Sequence, residues 1–272
     1  MSDGSSPARL ILCADDFAHS SGTSRVIADL LAARRLTATG CMTLRPGWAE
    51  DARMLRDVPT EAEIGLHLVL TEEAALTAMP RFAPGGRLPG IEELHRGDAA
   101  RLPAAEIAAE VDAQFDRFAE VMGRPQAYVD GHQHVLHLPG IRPLVLAATV
   151  RHAPGAWLRT CEDRPLALLA RPWRGKALSS AHRSRGFAGE AALRGLATNC
   201  GFAGHYGFAG DYAAIFPTFL RRPGERHLVM CHPGVDTRRG DAIAAARPVE
   251  AAALATLPLA ELAAARGLAL AA

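Results

Sequence analysis

Aspartate and histidine side chains, which carry carboxylate and imidazole groups, lie within or directly after four short apolar runs of this sequence. They are Asp15 and Asp16 after the run 10–14, His67 within 64–70, Asp130, His132 and His134 after 127–129, and His232 after 228–231. One carboxylate and two imidazoles can hold a divalent ion and leave positions open for water. A second carboxylate can then take a proton from that water, and another imidazole can protonate a leaving group. Together these groups predict the hydrolysis of an amide or an ester.

Taken alone, each of these side chains also has a structural interpretation. The paired aspartates could cap the helix that follows, and His67 could be a hydrogen-bonded core residue. Asp130 precedes a glycine and could belong to a turn, while His232 precedes a proline and could begin a helix. His132, His134 and His137 are three imidazoles within six positions, which favours a site. The joint pattern is therefore more specific than any of its members.

The elements that must position these groups alternate between strand and helix. The apolar runs are short and do not alternate with polar residues, which is typical of strands covered on both faces. About seven such strands, one of them at 41–44, favour a single-domain α/β fold that resembles a (β/α) barrel. In such a barrel the carboxyl ends of all strands meet at one face, so distant side chains could share one pocket.

Three stretches complete the predicted organisation. Residues 1–8 are expected to form a disordered tail, and residues 9–272 one domain. The segment 71–103 follows the third strand and is rich in proline and glycine, which predicts an inserted loop region. Such a loop could cover the substrate or could be a surface excursion. A long amphipathic helix is predicted over 104–122 and a closing helical stretch over 249–266.

Composition excludes several classes of function. The 272 residues carry 30 Lys and Arg against 29 Asp and Glu, and a net charge of +1 argues against nucleic acid as the main partner. No apolar run is long enough to span a membrane, and the N-terminus lacks the pattern of a secretory signal. The five cysteines form no CxxC pair, which favours reduced thiols in a cytoplasmic protein.

In their order along the chain, the four motifs resemble the YdjC-type carbohydrate deacetylases. This family includes chito-oligosaccharide deacetylases and hopanoid-associated deacetylases. The motifs are Ala-Asp-Asp-Phe at 14–17, Gly-Leu-His-Leu at 65–68, Asp-Gly-His-Gln-His-Val at 130–135 and Met-Cys-His-Pro-Gly at 230–234. The resemblance extends from Leu10 to about Leu268. It implies a barrel-like fold and the metal-dependent removal of an N-acetyl group from an amino sugar, with release of acetate.

Carried over position by position, the resemblance implies a role for seven residues. These are Asp16, His67 and His132 as metal ligands, Asp15 as general base, His232 as the proton donor or the group that orients it, and His134 and Arg159 as substrate contacts. The implied cofactor is one divalent ion, and imidazole ligands favour Zn over Mg, although members of the family are also associated with Mg. Arg247 and Glu250 match a late Arg-x-x-Glu element of the family.

Two positions depart from the family pattern. The residue after Phe17 is usually glycine, whereas here it is Ala18, and glycine at that place would permit a tight turn. The third histidine of the histidine motif is shifted by one position to His137, which would turn its side chain to the other face, so His137 is left out of the site.

Other interpretations remain open at this point. The enzyme could hydrolyse another bond, such as an O-acetyl ester or a phosphoester, because the Arg-rich stretch 164–185 could favour an anionic substrate. That stretch could equally be solvated surface. The barrel could also bind a sugar without turning it over. The expected partner is a small acetylated sugar, and the protein could form a homodimer.

Overall fold

A curled sheet of parallel strands forms the centre of the protein, whose computed structural model describes residues 8–236 and 238–270. The strands are Ala8–Phe17 (β1), Ala38–Cys41 (β2), Glu63–Leu68 (β3), Tyr128–Gly131 (β4), Trp157–Leu158 (β5), Phe202–Ala203 (β6), Arg226–Cys231 (β7) and Leu268–Leu270 (β8). Seven of them run in the order β5-β4-β3-β2-β1-β7-β6, and β8 pairs with the start of β1. Every pairing between these strands is parallel. This arrangement confirms the predicted barrel-like fold of about seven parallel strands.

Helices follow most of the strands and cover the outside of the sheet. They are Ser21–Ala32 (α1), Trp48–Asp51 (α2), Ile91–Arg96 (α3), Ala104–Met122 (α4), Arg142–His152 (α5), Pro165–Ala170 (α6), Arg174–Ser184 (α7), Phe187–Ala192 (α8), Tyr212–Phe219 (α9), Arg247–Thr256 (α10) and Leu259–Ala264 (α11). Short 3-10 helices occupy Ala52–Arg56, Ala99–Arg101 and His132–His137. Helix α4 has its predicted bounds because it buries Ile107, Val111, Phe115 and Phe118 on one face and ends at Gly123, whose φ is 66°.

Strand β1 shows how the sequence directs an acidic side chain into the barrel. Its residues 10–14 are fully buried. Leu10, Leu12 and Ala14 belong to the core between sheet and helices, whereas Ile11 and Cys13 belong to a separate core cluster with residues of β2, β4, β6 and β7. Because side chains alternate along a strand, Asp15 continues the inward series of 11 and 13.

The sheet curls until its two edge strands nearly meet. The Leu158 amide donates to the carbonyl of Ala197 at 2.9 Å. Just beyond, the Asn199 side chain accepts from the Thr160 amide at 2.7 Å and donates to the Thr160 carbonyl at 3.0 Å. The Asn199 side chain thereby makes the hydrogen bonds that a neighbouring strand would make, and it joins β5 to the segment that leads into β6.

Two predicted elements were placed wrongly. The strand expected at 41–44 is β2 at Ala38–Cys41, because two buried threonines belong to the sheet. Thr37 accepts from the Leu12 amide at 2.9 Å, and Thr39 donates to the Ala14 carbonyl at 2.9 Å. The closing helical stretch is divided into α10 and α11, since Pro258 interrupts it.

The remaining predictions on organisation have different outcomes. The segment between β3 and α4 is an insertion after the third strand that includes α3 and the 3-10 helix at 99–101. The predicted tail lies outside the described residues, apart from Ala8, which begins β1. No helix among the described residues has the length and apolar character needed to cross a bilayer. The predicted homodimer stays a prediction.

Candidate active site

The carboxyl ends of β1, β3, β4 and β7 surround a cavity of about 690 Å³. Six of the seven predicted site residues lie on its wall, namely Asp15, Asp16, His67, His132, His134 and His232. Arg159, which follows β5, is fully buried behind them and is not part of the wall. The topology therefore brings together groups that are more than 200 positions apart in the sequence.

Asp16, His67 and His132 point their donor atoms at one place. Oδ1 of Asp16 lies 3.1 Å from Nδ1 of His132 and 3.3 Å from Nε2 of His67. One donor atom of each residue lies within 4.8 Å of the other two. Two ligands of one tetrahedral zinc ion are about 3.0–3.5 Å apart, given bond lengths near 2.1 Å. The three residues therefore fit a shared divalent ion by spacing and by donor type.

Neighbouring charges fix the orientation of these three donors. Asp130 on β4 contacts Nδ1 of His67 through Oδ1 at 2.6 Å, which leaves Nε2 of that ring for the cavity. Arg247 of α10 donates to Oδ2 of Asp16 at 2.7 Å, which leaves Oδ1 free to face the imidazoles. A carboxylate behind a ligating histidine is a common feature of metal sites because it fixes the tautomer and the ring orientation.

The backbone at Asp16 contributes to this geometry. Asp16 has a φ of 67° and Ala18 a φ of 71°, so the chain reverses direction directly after the strand. Side chains other than glycine adopt this left-handed region at a cost, and asparagine and aspartate tolerate it best. The bend turns Asp16 out of the alternation of β1, so that Asp15 and its neighbour face the same cavity.

Buried charges shift the pKa values of these groups in opposite directions. Burial acts to raise the pKa of Asp16, but Arg247 and His132 outweigh it and hold the pKa well below its usual value. Burial acts to lower the pKa of His67, but the carboxylates of Asp130 and Asp15 raise it to about 10. The site therefore favours a positive charge beside these carboxylates, as a proton or as a metal ion.

Asp15 is held by a fully buried guanidinium. Arg159 donates to Oδ2 of Asp15 through Nη1 at 2.7 Å and to Oδ1 through Nη2 at 2.5 Å. Burial acts to raise the pKa of Asp15, but Arg159 outweighs it and lowers the pKa, so the carboxylate stays ionised. Nη2 also lies 2.5 Å from Asp130 and 3.1 Å from Sγ of Cys13. Cys13, Asp15 and Asp130 are thus grouped around a guanidinium rather than around an ion.

His232 lies beside Asp15 on the cavity wall. Its Nε2 is 3.7 Å from Oδ2 of Asp15, and its ring packs edge-on against Phe208. The backbone amide of His232 donates to Glu250 at 2.5 Å, and the Tyr206 hydroxyl donates to the other oxygen of the same carboxylate. Burial lowers the pKa of His232 to about 4, so the imidazole is neutral near pH 7.

His134 lies on the cavity wall next to His205. Its ring packs edge-on against that of His205, with the ring centroids 5.6 Å apart, and its Nδ1 lies 3.6 Å from Sγ of Cys161. Burial lowers its pKa well below 6.5, so it is neutral. His137 is buried against Phe187 and is absent from the wall of this cavity.

Three residues that support the site were not among the predicted ones. Asp130 orients His67, Arg247 binds Asp16, and Glu250 holds the backbone of His232. The sequence carried a signal for each, because Asp130 ends a strand and the other two form the late Arg-x-x-Glu element. Their partners could not be read from the sequence, since each contact joins segments that only the barrel brings together.

Arg159 has contacts that differ from the expected ones. The expectation was a contact with substrate, whereas its guanidinium is enclosed by Asp15, Asp130 and Cys13. The substrate contact stays a prediction, and the geometry favours a role in positioning Asp15.

Comparison with known protein families identifies the chain. The YdjC-like protein family matches residues 9–265, which is most of the sequence. The chain belongs to the YdjC-like family. The predicted resemblance is thereby confirmed, and the four motifs that carried it are the segments that end at the cavity.

Named relatives agree with this assignment. A chitooligosaccharide deacetylase of Klebsiella pneumoniae strain 342 is 34% identical over 227 residues, which cover 82% of this chain and 81% of the relative. A chitooligosaccharide deacetylase of Yersinia pestis strain Pestoides F is 36% identical over 138 residues, or 51% of this chain and 54% of the relative.

Solved structures share the fold. A proposed cellobiose-phosphate cleavage protein of Enterococcus faecalis V583 superimposes with a TM-score of 0.71 and 19% identity, covering 98% of this chain and 97% of that one. An uncharacterised protein of Agrobacterium tumefaciens C58 has a TM-score of 0.50 and 16% identity, covering 99% of this chain and 89% of that one. At these identities the likeness concerns the fold alone.

Proposed function

We propose that this YdjC-like protein is a metal-dependent carbohydrate deacetylase that removes the N-acetyl group of an amino sugar and releases acetate. The observation that carries the proposal is the convergence of Asp16, His67 and His132 beside Asp15 and His232 in one cavity. The relatives named chitooligosaccharide deacetylase support the substrate class. The cavity volume of about 690 Å³ suits a small-molecule site.

One divalent ion, Zn or Mg, would be held by Asp16, His67 and His132. An ion at that place would polarise the acetyl carbonyl and make a nearby water more acidic. Asp130 and Arg247 keep the three donors aimed at it, so the ligands need little rearrangement to take up the ion.

Asp15 serves as the general base in this proposal. Arg159 keeps its carboxylate ionised and in a fixed orientation while one edge of the carboxylate faces the cavity. A positioned carboxylate can take the proton of the attacking water as the carbon–oxygen bond forms. Arg159 is then a positioning residue, because it acts through Asp15 and does not reach the cavity.

His232 serves as the proton donor to the departing nitrogen. Its neutral imidazole takes at Nε2 the proton that Asp15 has gained from the water, since Oδ2 of Asp15 lies 3.7 Å away. The resulting imidazolium gives this proton to the amine as the amide carbon–nitrogen bond breaks. Glu250 fixes the backbone of His232 and thereby the position of the ring. Water and amide are consumed, acetate and amine are formed, and both side chains regain their starting state.

The decisive experiment separates the base from the metal ligands. We expect Asp15→Asn to lower kcat for acetate release by about a thousandfold or more, because a positioned base contributes about 10²–10⁴. Its content of bound metal should stay that of the wild type. His67→Ala should lose both the metal and the activity, as measured by elemental analysis of the purified protein and by an acetate assay.

Asp57→Asn is the matched control for the base, because Asp57 is exposed and lies outside the cavity wall. Normal acetate release by Asp15→Asn would overturn the assignment of the base. Parallel assays with N-acetylated and O-acetylated sugars separate amide hydrolysis from ester hydrolysis, and release from the ester alone would overturn the proposed reaction.

A further inference from the structure

A second cavity, of about 370 Å³, lies between the inserted segment after β3 and the end of α7. Its wall consists of Leu94, His95, Gly97, Ala99, Leu102, His137, Leu138, Pro139, Gly140, Arg142, His182, Arg183 and Arg185. It is a separate cavity from the one that contains the candidate active site, although Arg183 belongs to both walls.

The wall of this second cavity carries positive and potentially positive side chains without a carboxylate. Three arginines and three histidines contribute to it, and no aspartate or glutamate does. Glu190 pairs with Arg142 at 2.9 Å from outside the wall. The guanidinium groups of Arg183 and Arg185 have no carboxylate within ion-pair distance among the described residues. Arg183 and Arg185, which lack counter-charges, create a potential that attracts anions.

Two polar atoms of the wall lack hydrogen-bond partners within the part of the chain that the structure describes. They are Nδ1 of His137, a residue with only 1% of its surface exposed, and Nε of Arg142. A buried polar group without a partner is costly, so each such atom calls for a ligand or a water. The Arg142 group is a donor, and a donor requires an acceptor.

The free nitrogen of His137 is a donor in the tautomer whose Nε2 accepts from Cys161, and an anion beside Nδ1 favours that tautomer. Burial lowers the pKa of His137 to about 3 and raises the pKa of the Cys161 thiol to about 12, so both groups are neutral. Nε2 of His137 lies 3.7 Å from Sγ of Cys161 and can accept the thiol proton. A neutral imidazole that accepts at Nε2 carries its own proton on Nδ1.

The wall is held in place without a ligand. Arg142 donates to the carbonyls of His137 and Arg183, at 3.2 and 2.7 Å, and to that of Arg185 at 3.2 Å. It thereby ties the end of α7 to the 3-10 helix at 132–137. On the other side, a Cβ at Gly140 would lie 2.8 Å from the Ala99 carbonyl oxygen, so glycine lets the inserted segment approach closely. A rigid wall reduces the cost of ordering on binding.

We propose that this second cavity is an anion-binding site for a phosphate or carboxylate group. The ligand accepts hydrogen bonds from Arg142 and His137 at the base and from the half-buried His95 at the mouth, and its charge is neutralised by Arg183 and Arg185. Because Arg183 borders both cavities, the anion bound here lies next to the substrate cavity. The site rests on the contacts of its own wall and not on the proposed deacetylation.

Titration with inorganic phosphate tests the site directly. Isothermal titration calorimetry of the full chain, with a chelator present to exclude binding to metal, should show saturable binding with a Kd of about 1 mM or below. Arg185→Gln and His95→Gln should each weaken binding by about tenfold, because each removes a cationic or donor group from the mouth. Only the backbone carbonyl of Arg185 contacts Arg142, so its side chain can be replaced without releasing that tie.

Two control variants locate the binding. Arg174→Gln removes the same charge from an exposed position of α7 that lies on neither wall, and Arg239→Gln removes it from the wall of the catalytic cavity. Both should bind phosphate as the wild type does. Absence of saturable binding in the wild type, or an equal loss in either control variant, would overturn the proposal.

Kinetics with two sugars then identify the source of the anion. If Arg185→Gln raises KM for a phosphorylated N-acetylated amino sugar but not for the unphosphorylated one, the bound anion is a substituent of the substrate. If both KM values stay unchanged while phosphate binding is lost, the site takes a free anion. Both results support the site, and neither depends on which residue is the general base.

Discussion

The two cavities of this protein differ in whether their arginines are paired with carboxylates. In the catalytic cavity, each buried arginine faces a carboxylate, as Arg159 faces Asp15 and Arg247 faces Asp16. In the second cavity, the wall has arginines and histidines but no carboxylate. In the catalytic cavity the arginines already have carboxylate partners, so no anionic ligand is needed to balance their charge. The cavity leaves room for a cation and a neutral acetyl group. In the second cavity Arg142 pairs with Glu190, but Arg183 and Arg185 gain a counter-charge only from a ligand. The same residue type is therefore structural in one place and available for binding in the other.

Removal of a cation should have a very different cost in the two cavities. Arg159→Met removes the guanidinium partner of the buried Asp15 and leaves Asp130 with His67 alone, and we expect a loss of about 3–5 kcal/mol in the free energy of unfolding. Arg185→Met, at the exposed mouth of the second cavity, should change it by less than about 0.5 kcal/mol. Urea unfolding of both variants measures the difference, and similar losses would remove the contrast drawn above.

Glu250, which is buried and holds the backbone of His232, should make stability depend on pH. Burial raises its pKa from 4.5 to about 7, and a carboxyl with a raised pKa contributes stability below its unfolded pKa and loses it as the pH rises through the folded pKa. Relative to Glu250→Gln, the wild type should therefore lose about 3 kcal/mol between about pH 4.5 and pH 7. The exposed Glu120→Gln serves as control, and a flat difference over this range would contradict the prediction.

A substitution at Gly40 tests how tightly the pair of His67 and Asp130 is packed. A Cβ at Gly40 would lie 3.1 Å from Oδ1 of Asp130 and 3.1 Å from Nδ1 of His67, so Gly40→Ala should displace this pair. We expect about a tenfold loss of activity or metal affinity, as for other disturbances behind a metal ligand. Gly155→Ala, where no atom lies within 4 Å of the added Cβ, should leave both unchanged. Equal behaviour of the two variants would show that the pair tolerates displacement.

The smallest effect is expected at the bend after β1. Ala18 has a φ of 71°, which alanine adopts at a cost that glycine avoids. Ala18→Gly should therefore raise the free energy of unfolding by up to about 1 kcal/mol, after allowance for the greater freedom of glycine in the unfolded chain. Ala113→Gly, in the middle of α4, should lower it by about 1 kcal/mol. Thermal unfolding compares the two, and a loss in both would mean that the bend carries no strain.

Much of the catalytic cavity could be predicted from the sequence because its groups end apolar strands. The carboxyl ends of parallel strands meet at one face, and this rule predicts that Asp16 lies near His67 and His132, whereas the bend that turns its side chain to them could not be predicted. The position of Arg159 could not be predicted in this way. Arg159 directly follows β5, and only the curl of the sheet turns its side chain inward behind Asp15.

The second cavity could not be predicted from sequence patterns. Its wall joins the inserted segment, the 3-10 helix after β4 and the end of α7, and none of these has a periodic pattern. The sequence does contain the arginines of 164–185, which were open to two interpretations, an anionic ligand or a solvated surface. Arg174 is exposed and away from both walls, whereas Arg183 and Arg185 border a cavity. The distinction depends on neighbours that are distant in the chain.

The join between β5 and the segment before β6 has a consequence for motion. Elsewhere successive backbone pairs hold adjacent strands, but here the Leu158 amide and the two bonds of Asn199 carry most of the connection. Because few hydrogen bonds cross this contact, its free energy of local opening is low, and the barrel should open here first. Amide hydrogens of Leu158 and Thr160 should exchange with deuterium sooner than those of β1, and replacement of Asn199 by leucine should speed that exchange further.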